Sequence, residues 1–272
     1  MSQPPHLPPL LLIGAGRMGG ALFAGWAKHG LAPSILVDPM PPPGMARDDD
    51  ITLPSLLAVP SGFNPAAAIL AVKPQMADAV MAALGRVLQP GAVILSIMAG
   101  RRIAGIAEAV GGDPQVVRAM PNTPAAIGQG ITVACAGPGV TRAQCGLCDT
   151  LLAAVGDVAW VEDEAQIDAV TAVSGSGPAY VFLLAELLEE AALAEGLPPP
   201  LARQLARKTI SGAGALLDAS PEDAAALRRA VTSPHGTTEA ALAVLMDAAA
   251  WPRAVVGAVR AAAARAEELG RK

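Results

Sequence analysis

The fold of this chain is decided by the stretch Asp168-Ala-Val-Thr-Ala-Val-Ser-Gly-Ser-Gly-Pro-Ala-Tyr180. Before this stretch, short apolar runs alternate with helical patterns, whereas after it only Ala- and Leu-rich helical sequence follows. Its two glycines and Pro178 predict that one helix stops and another begins at the proline, with unpaired N–H groups at the new helix start. The stretch therefore predicts either a ligand-binding joint between two domains or a plain helix–turn–helix connection.

The first apolar run, Leu10–Ile13, leads directly into a glycine-rich segment, Gly14-Ala-Gly-Arg-Met-Gly19. An amphipathic helical pattern and a second apolar run, Ser34-Ile-Leu-Val-Asp38, come next. Strand, glycine turn, helix, strand and an acid roughly 20 residues on are typical of a Rossmann dinucleotide site. We predict that the pyrophosphate lies at the helix N-terminus and that Asp38 accepts hydrogen bonds from the adenosine ribose. The predicted cofactor contacts in this segment are Gly14, Ala15, Gly16, Arg17, Met18 and Asp38.

Asp38 also bears on the choice between NADH and NADPH, because its carboxylate would repel the 2′-phosphate of NADP. Arg17 and Arg47 are cationic residues that could offset this repulsion. The sequence therefore leaves both cofactors open. The proline-rich segment 39–44 breaks the helix expected after the second strand.

Three further apolar runs predict strands whose C-terminal ends carry candidate ligand groups. Lys73 follows the run at 68–72 and either contacts the cofactor or is simply solvated. Asn122 and Thr123 follow the run at 115–118 and either hydrogen-bond a carboxamide or only form a turn. The remaining predicted strands are 92–97 and two edge strands at 131–134 and 158–161, which flank a helix at 141–154.

From residue 163 onward the patterns are helical, so we predict an α/β chain with a Rossmann domain at 1–162 and an all-α domain at 163–272. The predicted helices are roughly 163–173, 178–195, 199–218, 222–231, 237–249 and 252–268. Thr237 and Thr238 open one of them after a Pro/Gly turn, so hydroxyls and free N–H groups converge there. This turn is either an anion site for a small carboxylate or an ordinary helix cap.

Composition excludes several classes of function. The net charge is −5 and aromatic residues make up 3% of the 272 residues, too few for base-stacking platforms, so we expect no nucleic-acid partner. No apolar run reaches the ~18 residues of a membrane span, so we expect no membrane partner. Residues 1–9 resemble a flexible leader and not a signal peptide, which predicts a cytoplasmic protein. Cys145 and Cys148 have redox spacing but lack a second ligand pair, so we expect no metal site.

Five segments, in the same order, resemble the pyrroline-5-carboxylate reductase family. They are Gly14–Gly19, Ala71-Val-Lys-Pro74, Arg118-Ala-Met-Pro-Asn-Thr-Pro124, Thr171–Tyr180 and Val231-Thr-Ser-Pro-His-Gly-Thr-Thr238. The last three are specific to the family, and together the five run through nearly the whole chain. His235 stands where the family usually has glycine, Met98 where it usually has a small residue, and Arg17 where asparagine is common.

The resemblance implies hydride transfer from NADPH or NADH to the C=N bond of 1-pyrroline-5-carboxylate, which yields L-proline. It implies a helical domain that interlocks with a partner subunit in a homodimer or a larger even homo-oligomer. Because a cyclic imine is partly protonated near neutral pH, catalysis would rest mainly on orientation and electrostatics. The implied catalytic residues are Thr171 and Ser174, with Ala71, Val72, Lys73, Pro74, Met120, Asn122 and Thr123 at the cofactor and Ser233, Gly236, Thr237 and Thr238 at the substrate carboxylate.

Three alternative functions stay open: a β-hydroxyacid dehydrogenase, which shares this architecture, a related imine reductase, and a non-catalytic NADP-sensing protein. The dehydrogenase chemistry needs a basic residue, usually a lysine, on the helix that joins the domains, and residues 163–196 contain neither lysine nor arginine. The helix predicted from Tyr180 to Gly196 is apolar around most of its circumference, which indicates burial in an interface.

Overall fold

The computed structural model describes residues 7–271, and its contacts divide the chain into two compact units. Unit 1 comprises the described residues up to Gly175 together with those from Ala262 onward, and unit 2 comprises Ser176–Ala261. The contacts thus keep the first helical residues after the sheet, and the end of the chain, with unit 1. The predicted domain boundary between residues 162 and 163 was drawn where strands give way to helices. It therefore marks a change of secondary structure, whereas the two units are defined by contacts, and it stays a prediction.

Within residues 7–271, eight strands form one sheet in the order β3-β2-β1-β4-β5-β6-β7-β8. Strands β1 to β6 run parallel, β7 is antiparallel to β6, and β8 is parallel to β7. The order of the first six is that of a dinucleotide-binding Rossmann sheet, so the predicted fold class is confirmed. The strands are β1 (Leu10–Ile13), β2 (Ile35–Val37), β3 (Ile51–Leu53), β4 (Ala67–Leu70), β5 (Val93–Ser96), β6 (Val116–Met120), β7 (Gly130–Ala136) and β8 (Gly156–Val161).

Helices cover both faces of the sheet and divide the core into two layers. Strand β1 shows the division, because Leu10 and Leu12 belong to one cluster while Leu11 and Ile13 belong to the other, as the pleat requires. The first layer is covered by α1 (Arg17–Lys28) and α4 (Arg142–Ala153), the second by α2 (Ala77–Val87), α3 (Ile103–Val110) and α5 (Gln166–Val170). This places the carboxyl ends of the parallel strands at one edge, where ligands bind in such sheets.

The sheet differs from the sequence prediction in two places. Strand β3 was not predicted, because it is only three residues long and follows the proline-rich segment that blocks a helix. Strand β7 was predicted as an edge strand, and this was wrong, since it lies between β6 and β8. Strand β8 is the edge.

Both ends of the described chain pack against unit 1. Leu7 is buried and forms a parallel bridge with Leu31, so the predicted flexible leader is wrong for residues 7–9, while residues 1–6 lie outside the described part of the chain. At the other end, a Cβ on Gly100 would lie 2.8 Å from Leu269 Cβ, and one on Gly270 would lie 3.2 Å from Arg102 Nε. The C-terminal residues are therefore in close contact with the turn after β5.

Unit 2 is built from helices alone among its described residues. The helices are α6 (Gly177–Ala194), α7 (Pro199–Ala219), α8 (Ala224–Ala230), α9 (Thr237–Leu245) and α10 (Trp251–Gly270), the last of which continues into unit 1. The predicted positions agree closely except for α9, which ends at Leu245 and not at residue 249. There Asp247 Oδ1 accepts a hydrogen bond of 2.8 Å from Ala249 N–H, and such local bonds compete with helix formation.

Unit 2 exposes large apolar side chains. Phe182, Leu183 and Leu187 on α6 are 62%, 53% and 51% exposed, and no residue of α6 is buried. By length and composition, one helical stretch of the described chain, Gln166–Ala194, would suffice to cross a membrane, with a mean hydropathy of 1.3. Apolar surface of this extent marks an interaction face.

Candidate active site

The glycine-rich turn between β1 and α1 is tight on one side and open on the other. Gly14 has φ +96°, and a Cβ there would lie 2.6 Å from the Ala71 carbonyl oxygen, so only glycine fits. A Cβ on Gly19 would lie 2.1 Å from the Gly14 carbonyl oxygen, which brings α1 directly onto the turn. Gly16, in contrast, has open space where its Cβ would be, and it begins α1 without a side-chain cap. The turn can therefore admit a phosphate at the helix N-terminus, as predicted for a dinucleotide.

Asp38 follows β2 and lies directly beside this turn. Its Oδ2 accepts a hydrogen bond of 2.7 Å from Ala15 N–H, and its Oδ1 accepts one of 2.8 Å from Met40 N–H. These bonds fix the carboxylate beside the glycine turn, and each oxygen retains a lone pair for a hydroxyl such as that of the predicted ribose. Asp38 thus also braces the glycine turn, a contact that the sequence did not reveal.

Arg47 is not available to offset the charge of Asp38. Its guanidinium makes a bidentate contact with Asp50, at 2.9 and 2.7 Å, and donates to the carbonyl oxygens of Leu31 and Ala32. The hydrogen bond to Asp50 raises the pKa of Arg47. Burial alone would raise the pKa of Asp50, but the hydrogen bonds from Arg47 outweigh burial and hold it below its usual value. Arg17 is exposed at the start of α1 and remains as the candidate cation.

The segment after β4 lies against the glycine turn. Ala71 donates its N–H to the Ile13 carbonyl oxygen at 2.8 Å, and its own carbonyl faces Gly14. Val72 is half-buried, and Lys73 is exposed at the start of a short 3₁₀ turn that Pro74 opens. The structure thus brings this predicted segment to the glycine turn, while both interpretations of Lys73 stay open.

The turn after β6 is braced by Asn122. Its Oδ1 accepts a hydrogen bond of 3.0 Å from Ile131 N–H, so the carbonyl end of this side chain is engaged within unit 1. This leaves Nδ2 as the donor that a carboxamide oxygen could take. Met120 is buried and Thr123 is exposed at the same turn.

Thr171 and Ser174 lie on a π-helical turn, Thr171–Gly175, between α5 and α6. The predicted start of a new helix at Pro178 is confirmed, because α6 begins at Gly177 with the proline in its first turn. The sequence did not predict that the residues before it, Thr171–Gly175, form a π-turn. Each hydroxyl donates to the carbonyl oxygen four residues earlier, Thr171 to Ile167 at 2.7 Å and Ser174 to Val170 at 3.1 Å. π-Turns inside helices occur frequently at functional sites.

This π-turn packs against the end of β6. A Cβ on Gly175 would lie 3.7 Å from Met120 Sδ and 3.7 Å from Thr171 Cγ2. The structure therefore brings together two predicted site segments, the Met120 turn and the Thr171 turn, that are far apart in sequence.

The predicted carboxylate site lies in unit 2, at the start of α9. Gly236 donates its N–H to the Ser233 carbonyl oxygen at 3.0 Å and begins the helix without a side-chain cap. Thr237 and Thr238 follow in the first turn, whose N–H groups have no intrahelical acceptor. His235 has φ +60°, the left-handed region, and its N–H donates to Glu239 Oε2 at 2.7 Å. The sequence did not reveal this role of Glu239, although an acid in the first helical turn is a recognisable signal.

A buried arginine was also missed. Arg118 is 1% exposed in the middle of β6 and pairs with Glu164 and Asp168. The available signal was a single charged residue inside an otherwise apolar strand. Its partners are 46 and 50 residues away, so sequence reasoning could not name them.

The two cysteines with redox spacing lie on α4. Burial raises the pKa of the Cys148 thiol to about 12, which keeps it protonated at neutral pH and unreactive as a thiolate. Among residues 7–271, no group of three or more His, Cys, Asp or Glu side chains is arranged to hold a metal ion.

Two family models match the chain. One is described as pyrroline-5-carboxylate reductase dimerisation and matches residues 164–269. The other is described as NADP oxidoreductase coenzyme F420-dependent and matches residues 10–100, which include the glycine turn.

Whole-length similarity to individual proteins agrees with these models. A pyrroline-5-carboxylate reductase of Pseudomonas aeruginosa is 40% identical over 266 residues, covering 96% of this chain and 97% of the relative. The Synechocystis pyrroline-5-carboxylate reductase is 38% identical over 268 residues, covering 96% and 98%. A solved pyrroline-5-carboxylate reductase from Coxiella burnetii has a TM-score of 0.86 at 31% identity and covers 98% of this chain and 100% of that one. A Plasmodium falciparum pyrroline carboxylate reductase, solved with NADP bound, has a TM-score of 0.82 at 27% identity and covers 97% and 98%.

Proposed function

The chain belongs to the pyrroline-5-carboxylate reductase family, and from that premise we propose how its residues carry out the NAD(P)H-dependent reduction of 1-pyrroline-5-carboxylate to L-proline. When bound, the reduced nicotinamide supplies the hydride that the imine carbon accepts. Holding the two reactants in the right geometry can itself lower the barrier by about 7–11 kcal/mol. The role of the chain is therefore to bind, orient and polarise.

The observation that carries this proposal is the direction of the Thr171 hydroxyl. Its hydrogen is donated to the Ile167 carbonyl oxygen at 2.7 Å, so Oγ1 presents only lone pairs to a ligand. An acceptor suits the protonated imine, whose N–H⁺ donates, and this bond favours the protonated form, whose imine carbon accepts a hydride more readily than that of the neutral imine. Ser174 has the same bond to Val170 and would supply a second acceptor.

The substrate carboxylate would bind at the start of α9. We assign it to the hydroxyls of Ser233, Thr237 and Thr238 and to the N–H groups that follow Gly236, which form an anion site without formal charge. Glu239 Oε2 already accepts from His235 N–H, so that N–H group is not part of the proposed anion site.

The residues at the carboxyl edge of the sheet fit a dinucleotide. Open space at Gly16, where a Cβ would project, lets the backbone approach a pyrophosphate. Asp38 is held by Ala15 N–H for the ribose, and Asn122 Nδ2 can donate to the nicotinamide carboxamide. We propose that both NADH and NADPH are used, with Asp38 opposing the 2′-phosphate and Arg17 offsetting it in part.

The match of residues 164–269 to the pyrroline-5-carboxylate reductase dimerisation model supports homo-oligomerisation, and we propose a homodimer or a larger even assembly formed through residues 163–272. The exposed Phe182, Leu183 and Leu187 support this, since a second copy would cover them. Burial by a second copy would also account for the apolar character of residues 166–194 without a membrane. We place the assembly in the cytoplasm.

One assay tests this function. The purified protein should oxidise NADPH or NADH only when 1-pyrroline-5-carboxylate is added, with L-proline as the product. Turnover of a β-hydroxyacid with NAD or NADP at an equal or higher kcat/KM would contradict it, as would cofactor binding without turnover of either substrate.

A further inference from the structure

The buried ionic cluster around Arg118 links β6, α3 and α5. Arg118 Nη1 lies 3.0 Å from Glu164 Oε1, and its Nη2 lies 3.4 Å from Asp168 Oδ1. Arg102 Nη2 lies 3.4 Å from the second oxygen of Asp168. Glu164 Oε1 also accepts a hydrogen bond of 2.8 Å from Ile103 N–H at the start of α3. The positive charges of the two arginines and the negative charges of the two carboxylates thus neutralise one another.

Stability alone does not account for this cluster. An arginine that is 1% exposed has lost nearly all its hydration, and buried ion pairs are often no more stabilising than apolar residues of similar volume. Arg118 Nε, moreover, has no hydrogen-bond partner among the described residues, so the desolvation is not fully compensated. Such a cluster instead fixes the relative orientation of the chain segments that its ion pairs connect.

The group that it directs is the π-turn. Asp168 precedes Thr171 by three residues, and Ile167, whose carbonyl accepts the Thr171 hydroxyl, is buried beside it. Arg118 and Met120 are two residues apart on β6 and therefore point to the same face of the sheet. Arg118 holds the segment before the π-turn through Asp168, and Met120 lies close to Gly175 at its end. One face of one strand thus fixes both ends of the turn.

We propose that Arg118, through Asp168, is a positioning residue for the Thr171 hydroxyl. It sets where that oxygen stands relative to the imine, and it touches neither substrate nor cofactor. This inference rests on the proposed role of Thr171, and it assigns the charges of Arg102, Glu164 and Asp168, which are paired around the buried Arg118, to catalytic geometry.

The test uses variants that keep the buried charges balanced. Arg118→Met alone would leave the buried Asp168 and the half-buried Glu164 short of a cation, so the main variant is the neutral pair Arg118→Met/Asp168→Asn. We expect kcat to fall at least about tenfold, since a misplacement on the order of 1 Å can cost about a hundredfold. The Kd of NADPH, measured by calorimetry, should stay within about twofold, because neither replaced side chain contacts the cofactor and distant sites act independently. Arg118→Lys, which keeps the charge but not the fork, should retain an intermediate kcat.

A double-mutant cycle separates positioning from general destabilisation. If Arg118 acts through Thr171, the neutral pair should lower kcat by no more than about twofold in a Thr171→Val background, because coupled sites are non-additive. Losses that simply multiply would overturn the proposal. Leu152→Ala, a buried residue of α4 in the opposite core layer, is the control: it should lower Tm and leave kcat per folded molecule unchanged.

Two outcomes remain distinguishable. Thr171→Val with wild-type kcat/KM would refute the proposed role of Thr171 itself, whereas a normal loss in Thr171→Val with multiplying losses would refute only the positioning role of Arg118. If the neutral pair does not fold, Arg102→Gln replaces it, since Arg102 is 39% exposed and contacts the same carboxylate. We expect this change to lower kcat about threefold in the otherwise wild-type protein, and to cause no further loss of kcat in the Thr171→Val background.

Discussion

Replacing Thr171 by valine removes one hydroxyl and keeps the branched shape of the side chain. The fold should tolerate this change, because the Ile167 carbonyl oxygen that loses the hydroxyl still accepts the backbone N–H of Thr171. The lost neutral hydrogen bond should lower the free energy of unfolding by about 0.5–1.5 kcal/mol. Any larger effect on catalysis must then come from the substrate.

The expected effect on catalysis follows from the charge of the imine. A hydrogen bond to a charged group contributes about 1.5–3 kcal/mol, which corresponds to a loss of about 10- to 150-fold in kcat/KM. We would measure NADPH oxidation at saturating cofactor across a range of 1-pyrroline-5-carboxylate concentrations. Thr171→Ser retains the hydroxyl and should keep most of the activity.

A matched control exists on α4. Thr150 donates its hydroxyl to the Gly146 carbonyl oxygen at 2.9 Å, the same spacing of four residues, but on an exposed surface. Thr150→Val should therefore match the stability change and leave kcat/KM unaltered. If Thr171→Val changes kcat/KM by no more than Thr150→Val does, the hydroxyl does not contact the imine.

The remaining predictions concern the cofactor, the carboxylate site, the strained loop and the assembly. Asp38→Ser should raise the ratio of kcat/KM for NADPH to that for NADH, and an unchanged ratio would show that the carboxylate does not face the ribose. Thr238→Val should raise KM for the imine and weaken inhibition by L-proline, with kcat nearly unchanged, as steady-state kinetics would show. His235→Gly should raise the free energy of unfolding by about 0.5–1 kcal/mol in thermal unfolding, because the left-handed conformation at φ +60° costs a non-glycine residue more than glycine loses in entropy. The pH profile of the same variant tests whether His235 acts on substrate binding, and an unaltered profile would remove that role. Light scattering at micromolar concentration should give an even oligomer, and a fully active monomer would be incompatible with the exposed leucines of α6.

Much of the fold could be predicted because its signals are local. The strand, glycine turn, helix and acid from Leu10 to Asp38 follow one another within a short segment, and the structure places them as predicted. Strand β3 escaped prediction because three residues carry little periodicity, and the segment before it contains prolines that exclude a helix without specifying what replaces it.

The site was less predictable, because its geometry depends on contacts between distant segments. Glycines and a proline in 175–178 predict the new helix start at Gly177, but they do not predict the π-turn before it, where Gly175 lies near Met120. The bond from Ala15 N–H to Asp38 and the pairing of Arg118 with Asp168 arise only when strands become neighbours. Local sequence propensity predicts the helices and strands, whereas contacts between distant segments determine the orientation of the side chains at the site.

The return of the chain into unit 1 has a consequence for synthesis on the ribosome. The turn after β5 receives its contacts with Leu269 and Gly270 only from residues that are made after all of unit 2. Synthesis proceeds from the N-terminus at about 5–20 residues per second, so the nucleotide-binding sheet must wait, incompletely covered at Gly100 and Arg102, while all of unit 2 emerges. A nascent chain stalled or cleaved before Ala262 would carry all eight described strands and still leave that turn uncovered, so the folding of unit 1 is completed only after residues 262–271 have emerged.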